Sequence, residues 1–546
     1  MAAPRGIQRL SNELLRDVLD YIESDPEKLV SLDRRAYLSQ ESFRPPPPPQ
    51  PGQLQDIGHF RLTCKRFSEL GAVHQFARVT TRFSRKGLRR LDNIAGQPHL
   101  ARHVKKFSYM VPYFYVEGRE RVRELLLSLP ANLGQLDVRH LTQKVRDQKE
   151  IIASEFDAEV LKKAIQAFTS LQHVQILRVQ DQEDSVLLQY IRQRADLTHL
   201  VELKWAPACS HSTKTIGAAL LATRSPCSRF SSPMLAPQSA KALAEQRPKS
   251  ISTLAAQFTC LELHFDDTNT DLDAKMLELS ELFKVVFHTA KNMQAVHVGF
   301  PSHRPLTLGL EEVFHHVQWR NLLAFGIQGW RLHSSEIIAL AQRHRDKLKG
   351  LRLRDVLLKE GSTWKEVLSS LREEMPRLDW VSLRRIGYAK HFDEQWAAAG
   401  AEVPDDPPGG ASESDEESDF DLHPEASGDD MTDDGTPGPV NGLAVPAYAH
   451  NGHTAHNNHA WSDNDSLTDS ENENDSDDEH GPAGNEMDFP VLSPDTPSSV
   501  PWCNCNGQSY SSSADDLGDN GVFVSNTQRK LWEKWVLGRC PEHSGK

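Results

Sequence analysis

The feature that most constrains the fold is a short apolar pattern that recurs through the middle of the 546-residue chain. An apolar residue is followed by a second one three positions later and by a third one two positions after that. The pattern alternates at its end, as in a strand that buries one of its faces. It begins at Val104, Leu133, Leu171, Leu200, Phe258, Met293, Leu322, Leu348 and Leu378. A pattern that returns in this way indicates units that bury their apolar faces against one another.

The spacing of these motifs predicts what each unit contains. Successive starts are 29, 38, 29, 58, 35, 29, 26 and 30 residues apart. The interval of 58 residues hides either a degenerate unit or an insertion made of the stretch 225–250. Helical patterns at 156–168, 272–290, 334–348 and 363–374 fall between the strands. Each unit is therefore predicted to be a strand, a turn and a helix, stacked into a parallel sheet.

The alternation also predicts which strand residues face away from the core. Leu351 and Leu353 would point inward, and Arg352 and Arg354 outward. The outward set also holds Gln175, Glu262, His264, His297 and Ser382. Our candidate substrate-binding residues are Lys204, Trp205, Gln328, Trp330, Arg352, Arg354 and Arg384. Trp is enriched at binding hot spots, and Arg binds carboxylate and phosphate groups well, so the expected partner is an acidic or phosphorylated protein. A place in the core or on a solvated basic face is the alternative for each residue.

A different pattern occupies the N-terminus. Ser11 or Asn12 is suited to cap a helix. The apolar residues that follow lie on one helical face, and they are Leu14, Leu15, Val18, Leu19 and Ile22. A second short helix is indicated over residues 60–70, where Phe60, Cys64 and Phe67 share a face.

Together these segments resemble the F-box, in the form common among fungal F-box proteins. The likeness is carried by Leu10, the run 13–22, Asp56-Ile57 and Phe60-Arg61-Leu62-Thr63-Cys64-Lys65-Arg66-Phe67. It implies a three-helix module over residues 7–70 that docks on the Skp-type adaptor of a cullin-RING ubiquitin ligase. The implied adaptor-binding residues are Leu10, Leu14, Leu15, Val18, Leu19, Ile22, Ile57, Leu62, Cys64 and Phe67. Some of these must pack the module internally, and the sequence does not separate the two sets.

The resemblance has two departures. Ser11 stands where the family usually has proline, and a proline-rich insertion at 23–55 replaces a short loop. The run of prolines should form an exposed polyproline helix, and a long surface loop costs little additional entropy. An ordinary helical hairpin that caps the following domain is the alternative for residues 7–70.

Charge divides the chain into two parts. Residues 401–520 hold 29 Asp and Glu and no Lys or Arg, in a composition that has little to bury. All 62 Lys and Arg and the remaining 47 of the 76 Asp and Glu lie outside this segment, so the rest carries a net charge of +15. Residues 401–520 are therefore predicted to be a disordered acidic tail. Residues 521–546, with Trp532 and Trp535, are predicted to form a short amphipathic helix that docks as a cap.

The sequence lacks the segments and motifs that are typical of several classes of protein. There is no run of 18 apolar residues and no apolar leader, so a cytoplasmic or nuclear protein without a membrane partner is expected. Phosphate-binding glycine loops and the motifs of zinc proteases and serine hydrolases are absent. The seven Cys are irregularly spaced and read as free thiols. We expect no enzyme activity, cofactor or metal. A basic stretch at 82–90 has no recognition motif beside it, so nucleic acid is not an expected partner.

These observations predict an α/β protein. A small helical F-box module at 7–70 would be followed by a solenoid at 100–390 that resembles leucine-rich repeats of the longer kind, and then by the acidic tail. The repeats lack the Asn or Cys that usually follows the strand, so a non-repeating α/β domain is the alternative for 100–390. The predicted function is that of a substrate-recognition adaptor in a Skp/cullin/F-box ubiquitin ligase. An interaction scaffold without a ligase link is the alternative.

Overall fold

The computed structural model describes residues 6–23, 53–115, 138–193, 203–246, 248–266, 271–392, 514–522, 524 and 526–538. The strands are β1 (Arg78–Arg82), β2 (Lys106–Val111), β3 (Phe114–Tyr115), β4 (His173–Arg178), β5 (Leu203–Lys204), β6 (Arg229–Leu235), β7 (Cys260–Phe265), β8 (Ala295–Gly299), β9 (Ala324–Leu332), β10 (Gly350–Leu358), β11 (Trp380–Arg384) and β12 (Gly387–Tyr388).

Helices alternate with these strands along the chain. They are α1 (Asn12–Glu23), α2 (Gln53–Thr63), α3 (Lys65–Gln75), α4 (Arg85–Ala95), α5 (Pro98–Ala101), α6 (Val138–Ala153), α7 (Phe156–Ala167), α8 (Gln182–Arg192), α9 (Trp205–Thr223), α10 (Pro237–Gln246), α11 (Pro248–Ala255), α12 (Leu272–Glu278), α13 (Ser280–Thr289), α14 (Leu310–Phe314), α15 (Ser334–Arg343), α16 (Trp364–Glu374) and α17 (Asn526–Leu537). Short 3-10 turns lie at Gly6–Arg9, Ala389–His391 and Ala514–Leu517.

Ten of the strands form one large parallel sheet. Its order is β1-β2-β4-β6-β7-β8-β9-β10-β11, with β12 paired to β10. Strands β3 and β5 form a separate antiparallel pair. Neighbours in the large sheet follow one another in sequence, as expected when each strand is followed by a helix and the next parallel strand. The predicted α/β class with a parallel sheet is confirmed.

Most of the apolar motifs are strands of this sheet. The motifs that begin at Val104, Leu171, Phe258, Met293, Leu322, Leu348 and Leu378 coincide with β2, β4, β7, β8, β9, β10 and β11. The prediction that the motif at Leu200 forms a strand of the large sheet is wrong, because Leu203–Lys204 lies outside that sheet and Trp205 begins α9. The motif at Leu133 lies outside the described residues except for Val138, which begins α6.

Apart from the two-residue strand β12, two strands of the sheet do not show the apolar motif. Strand β6 lies within the long interval of 58 residues, so this interval contains a degenerate unit. Its third pattern position is Ser232, whose hydroxyl is hydrogen-bonded to that of Thr213 at 2.5 Å. In β1 the corresponding position is Thr81, which is polar but fully buried.

A backbone kink recurs near the end of the last long strands. Gly329, Asp355 and Arg385 occupy equivalent registers, and each has a positive φ, of 66°, 49° and 49°. A Cβ at Gly329 would overlap the carbonyl oxygen of Phe300, so glycine is required there. The kink interrupts the side-chain alternation of the strand. The residue directly after each kink, for example Trp330 after Gly329, is buried in the core.

The helices begin where local chemistry favours them. Ser84 caps α4 by accepting a hydrogen bond from the N–H of Gly87 at 3.1 Å. Thr363 caps α16 through the N–H of Glu366 at 3.3 Å. Capping side chains replace the hydrogen bonds that the first turn of a helix lacks.

The C-terminal helix α17 closes the β11 edge of the sheet. Leu383 of β11 donates its N–H to Glu533 at 2.5 Å, and its carbonyl accepts from Arg529 at 2.6 Å. Arg529 and Glu533 are one turn apart on α17 and are joined at 3.1 Å. Trp532 is fully buried in the core and donates to the carbonyl of Leu517 at 2.8 Å. The predicted C-terminal helix is present, and it caps the domain.

Replacement of Trp532 should therefore destabilise the sheet domain. We expect Trp532→Ala to lower the free energy of unfolding by about 3 to 5 kcal/mol, because a large buried side chain is lost. Urea denaturation followed by circular dichroism measures this change. Lys530→Ala removes an exposed side chain of the same helix and should change stability little. Equal stability of Trp532→Ala and wild type would show that α17 does not cap the sheet in solution.

Candidate functional site

Helix α1 carries apolar side chains on two sides. The hydroxyl of Ser11 accepts from the N–H of Leu14 at 3.4 Å and so begins the helix. Leu15 and Leu19 are fully buried. Leu14 is 50% exposed and Val18 37% exposed. Since the two exposed residues are four positions apart, they lie on the same helix face.

Helices α2 and α3 pack closely against each other. The single helix predicted over residues 60–70 is wrong, because Cys64 is extended with φ −164° and ψ 163° and separates α2 from α3. Phe60 and Phe67 stack across this break with ring centroids 4.3 Å apart. A Cβ at Gly71 would lie 2.5 Å from Cγ of Arg61, so the two helices approach closely only because residue 71 is glycine.

The two halves of this module meet although residues 24–52 separate them. Arg66 of α3 donates to the side chain of Asn12 at 2.8 Å and to the carbonyl of Leu10 at 2.6 Å. Leu15 and Leu19 share one apolar cluster with Ile57, Phe67 and Leu70. The proline-rich part of the insertion lies outside the described residues, but its length does not keep the halves apart.

The structure divides the predicted adaptor-binding residues into three groups. Leu15, Leu19, Ile57 and Phe67 are buried and form the core of the module. Leu10, Ile22 and Cys64 are partly buried against that core. Leu14, Val18 and Leu62 are exposed, Leu62 by 70%. Tyr21, which is 85% exposed, was missed, although its position seven residues after Leu14 places it on the same face. We call Leu14, Val18, Tyr21 and Leu62 the exposed apolar set.

A second candidate region is the strand face opposite the helices. The register aligns Glu262, His297, Gly326 and Arg352 across β7 to β10. Leu351 and Leu353 lie in the core, and Arg352 and Arg354 lie outside it, as the alternation predicts. We call this side the outer strand face.

Long side chains on the outer strand face lie across small residues of the next strand. His264 stacks on His297 with ring centroids 4.8 Å apart, and a Cβ at Gly326 would collide with the imidazole of His297. Trp380 lies over Gly350 in the same way, and the guanidinium of Arg352 is 5.6 Å from the Trp380 ring centroid. This arrangement buries side chains that the sequence places outward.

The burial affects the charge of His297. Burial, with His264, Arg352 and Arg354 nearby, holds the pKa of His297 well below its ordinary value. The imidazole is therefore neutral at physiological pH. The cationic groups of this region are the arginines.

The predicted substrate-binding residues are not equally accessible. Gln328, Arg352 and Arg354 are buried, and Arg384 is partly exposed. Trp205 and Trp330 are core residues, since both are buried, and their indole N–H groups donate to the carbonyls of Val179 and Leu308. Lys204 is in β5, outside the large sheet, and its side chain lies outside the described residues.

A buried ionic network joins the first strands to the helices. Lys144 of α6 donates to Asp181 and to Asp184, each at 2.5 Å. Arg82 pairs with Asp181, and the hydroxyl of Tyr115 donates to Asp184 at 2.9 Å. Burial alone would raise the pKa of Asp181, but Lys144 and Arg82 outweigh it and lower the pKa to about 2. Both oxygens of the Asp181 carboxylate are bonded to cationic side chains, and this indicates a structural role.

Comparison with known proteins assigns the chain to no family. No protein-family model matches the chain, and no curated protein matches it. In the part of the chain that the structure describes, no group of three or more His, Cys, Asp and Glu is placed to hold a metal ion. No described helix is both long enough and apolar enough to cross a membrane.

The Asp181 network predicts how stability changes in acid. The pKa of Asp181 is about 2 in the folded chain and 3.8 ordinarily, so its ionised form stabilises the fold above pH 3.8. That contribution, about 2 kcal/mol, is lost as the pH falls towards 2. We expect Asp181→Asn to lower the free energy of unfolding at neutral pH and to match wild type near pH 2.

Urea denaturation at a series of pH values measures this difference. Asp346→Asn is the matched control, because the side chain of Asp346 is 88% exposed. A constant difference between Asp181→Asn and wild type over the whole range would contradict the assignment.

Proposed function

We propose that this protein is the substrate-recognition subunit of a Skp/cullin/F-box ubiquitin ligase. In this proposal, helices α1, α2 and α3 form the F-box and dock on the Skp-type adaptor, which connects them to the cullin. The parallel sheet domain is a solenoid of degenerate leucine-rich repeats that holds a protein substrate. The chain would supply proximity and orientation, and other subunits would carry out ubiquitin transfer.

The exposed apolar set carries this proposal. The helical module already has its own core of Leu15, Leu19, Ile57, Phe67 and Leu70. Leu14, Val18 and Leu62 remain at the surface, although burial of each such side chain would be favourable by about 1.5 to 3 kcal/mol. Apolar residues at helical spacing on a folded module are typical of a surface that receives a protein partner.

The sequence of parallel strand and helix units supports the second half of the proposal. Strands β7 to β11 begin at similar intervals and pair with their sequence neighbours in the same register. Where leucine-rich repeats usually place Asn, this chain has the buried residues Trp330, Val356 and Ile386. Apolar packing would take over the role of the asparagine ladder. Arg384, which is partly exposed, is the most accessible of the predicted arginines for an acidic or phosphorylated substrate.

A scaffold without a ligase link is the second candidate. It is favoured by the end of α3, where Ala72 and Phe76 pack against Leu100 of α5 and Ile94 of α4. The helical module is thus continuous with the sheet domain and covers its first unit. In this alternative, residues 7–70 only close the domain, and the exposed apolar set has no partner.

Adaptor binding by designed variants separates the two candidates. We expect the full chain to bind a purified Skp-type adaptor, and Leu14→Asp/Leu62→Asp to weaken binding at least roughly thirtyfold, since loss of a hot-spot residue costs about 2 kcal/mol or more. Isothermal titration calorimetry gives the affinity. Both residues are exposed, so circular dichroism should show a folded variant.

Leu277→Asp is the matched control, because Leu277 is 51% exposed on α12, away from the helical module. It should bind the adaptor as wild type does. Leu15→Asp is unsuitable as a binding test, because Leu15 is buried and its replacement would unfold the module. If folded wild type shows no affinity for the adaptor, the ligase proposal fails and the scaffold candidate stands.

A further inference from the structure

The first unit of the sheet domain is strongly basic. Residues 78–106, from β1 to the start of β2, contain nine Lys and Arg and one Asp. Six of these cations are exposed, and we call them the basic edge patch: Arg85, Lys86, Arg89, Arg90, Arg102 and Lys105. The sequence alone shows the run at 82–90. The fold adds Arg102 and Lys105, because α5 returns the chain to the sheet beside β1.

The patch follows the edge of the sheet. Helix α4 comes directly after the edge strand β1, and Arg90 donates to the carbonyl of Thr80 in that strand at 2.8 Å. Arg85 and Arg89, and likewise Lys86 and Arg90, are four residues apart and therefore neighbours along the helix. The 11 residues of α4 extend about 16 Å.

Neighbouring charges define the limits of the patch. Arg85 pairs with Glu150 at 3.1 Å, and Glu159 lines a cleft of about 270 Å³ with Arg85 and Arg89. Asp92, the one acidic residue of the segment, is paired with Lys163 at 2.5 Å. Among the described residues, no carboxylate forms an ion pair with Lys86, Arg89 or Lys105.

The groups around Arg102 and Lys105, at the other end of the basic edge patch, are basic as well. His103 lies beside Arg102, which donates to its imidazole at 3.3 Å. Burial, and then the basic groups Arg102, His99 and Lys105, lower the pKa of His103. These residues therefore lie close enough together to influence one another's charge.

We propose that the basic edge patch binds the phosphate backbone of a nucleic acid. A protein partner normally requires an apolar centre in its interface. In residues 78–106 no large apolar side chain is exposed, since Leu88 and Leu91 of α4 are buried beneath the cations. Binding that is independent of sequence needs only a line of cations, because release of counterions from the phosphates supplies the affinity. The proposal is independent of adaptor binding, which involves other residues.

The test is the salt dependence of binding to a short fluorescein-labelled DNA duplex. Anisotropy of the duplex is measured with full-length protein between about 50 and 200 mM salt. Log K should fall linearly with log salt, with a contribution to the slope of about −0.9 for each phosphate contact. Lys86→Ala/Arg89→Ala/Lys105→Ala should weaken binding roughly tenfold or more at low salt and reduce the slope by about 2 to 3.

A matched control separates a local patch from net charge. Lys291→Ala/Arg320→Ala/Lys347→Ala also removes two Lys and one Arg, all exposed. These residues flank β8 to β10, at least four strands from β1 in the sheet. The control should bind the duplex as wild type does.

Three results would overturn the proposal. The first is a wild-type anisotropy that does not change with protein concentration at low salt. The second is an equal loss of affinity in the two triple variants. The third is binding to phosphatidylserine-containing vesicles without binding to the duplex, which would assign the patch to an anionic membrane surface.

Discussion

Hydrogen bonding at the edges of the parallel sheet is the constraint on which the rest of the structure depends. Each inner strand satisfies its backbone groups through two neighbours, but β1 and β11 have one neighbour each in the strand order. At β11, Arg529 and Glu533 take the place of a further strand by bonding both backbone groups of Leu383. At β1, Arg90 donates to Thr80. After residue 392 the chain returns to β11 through α17, which covers this edge of the sheet.

The burial of side chains on the outer strand face follows from the parallel register of the same sheet. Parallel registers place Gly326 and Gly350 beside strands that carry His297 and Trp380, and these larger side chains lie across the glycines. Charged and polar residues such as Arg352 are buried as a result. A partner that reaches this face would first meet partly exposed residues such as Arg384, and access to the buried arginines would require side chains to move.

In the N-terminal module, one apolar pattern places residues both in the core and at the surface. Leu14 and Leu15 are adjacent in sequence, yet Leu15 is in the core and Leu14 is at the surface. The core holds the halves together across the insertion, with Arg66 bonded to Leu10 and Asn12. The exposed side chains are then available to a partner without cost to the fold.

The sequence by itself determined the class of fold and most of its strands, because side-chain alternation is a local property that buried strands display directly. It also determined the C-terminal helix with Trp532 and the alternation of Leu353 and Arg354. Only the tertiary structure decided that β1 and β6 join the sheet, since Thr81 and Ser232 are polar where the pattern requires an apolar residue. It also decided that Trp205 begins a helix, that Arg352 is buried, and that Leu14 rather than Leu15 is exposed. These outcomes depend on which side chains meet across the fold, and periodicity along one segment does not record that.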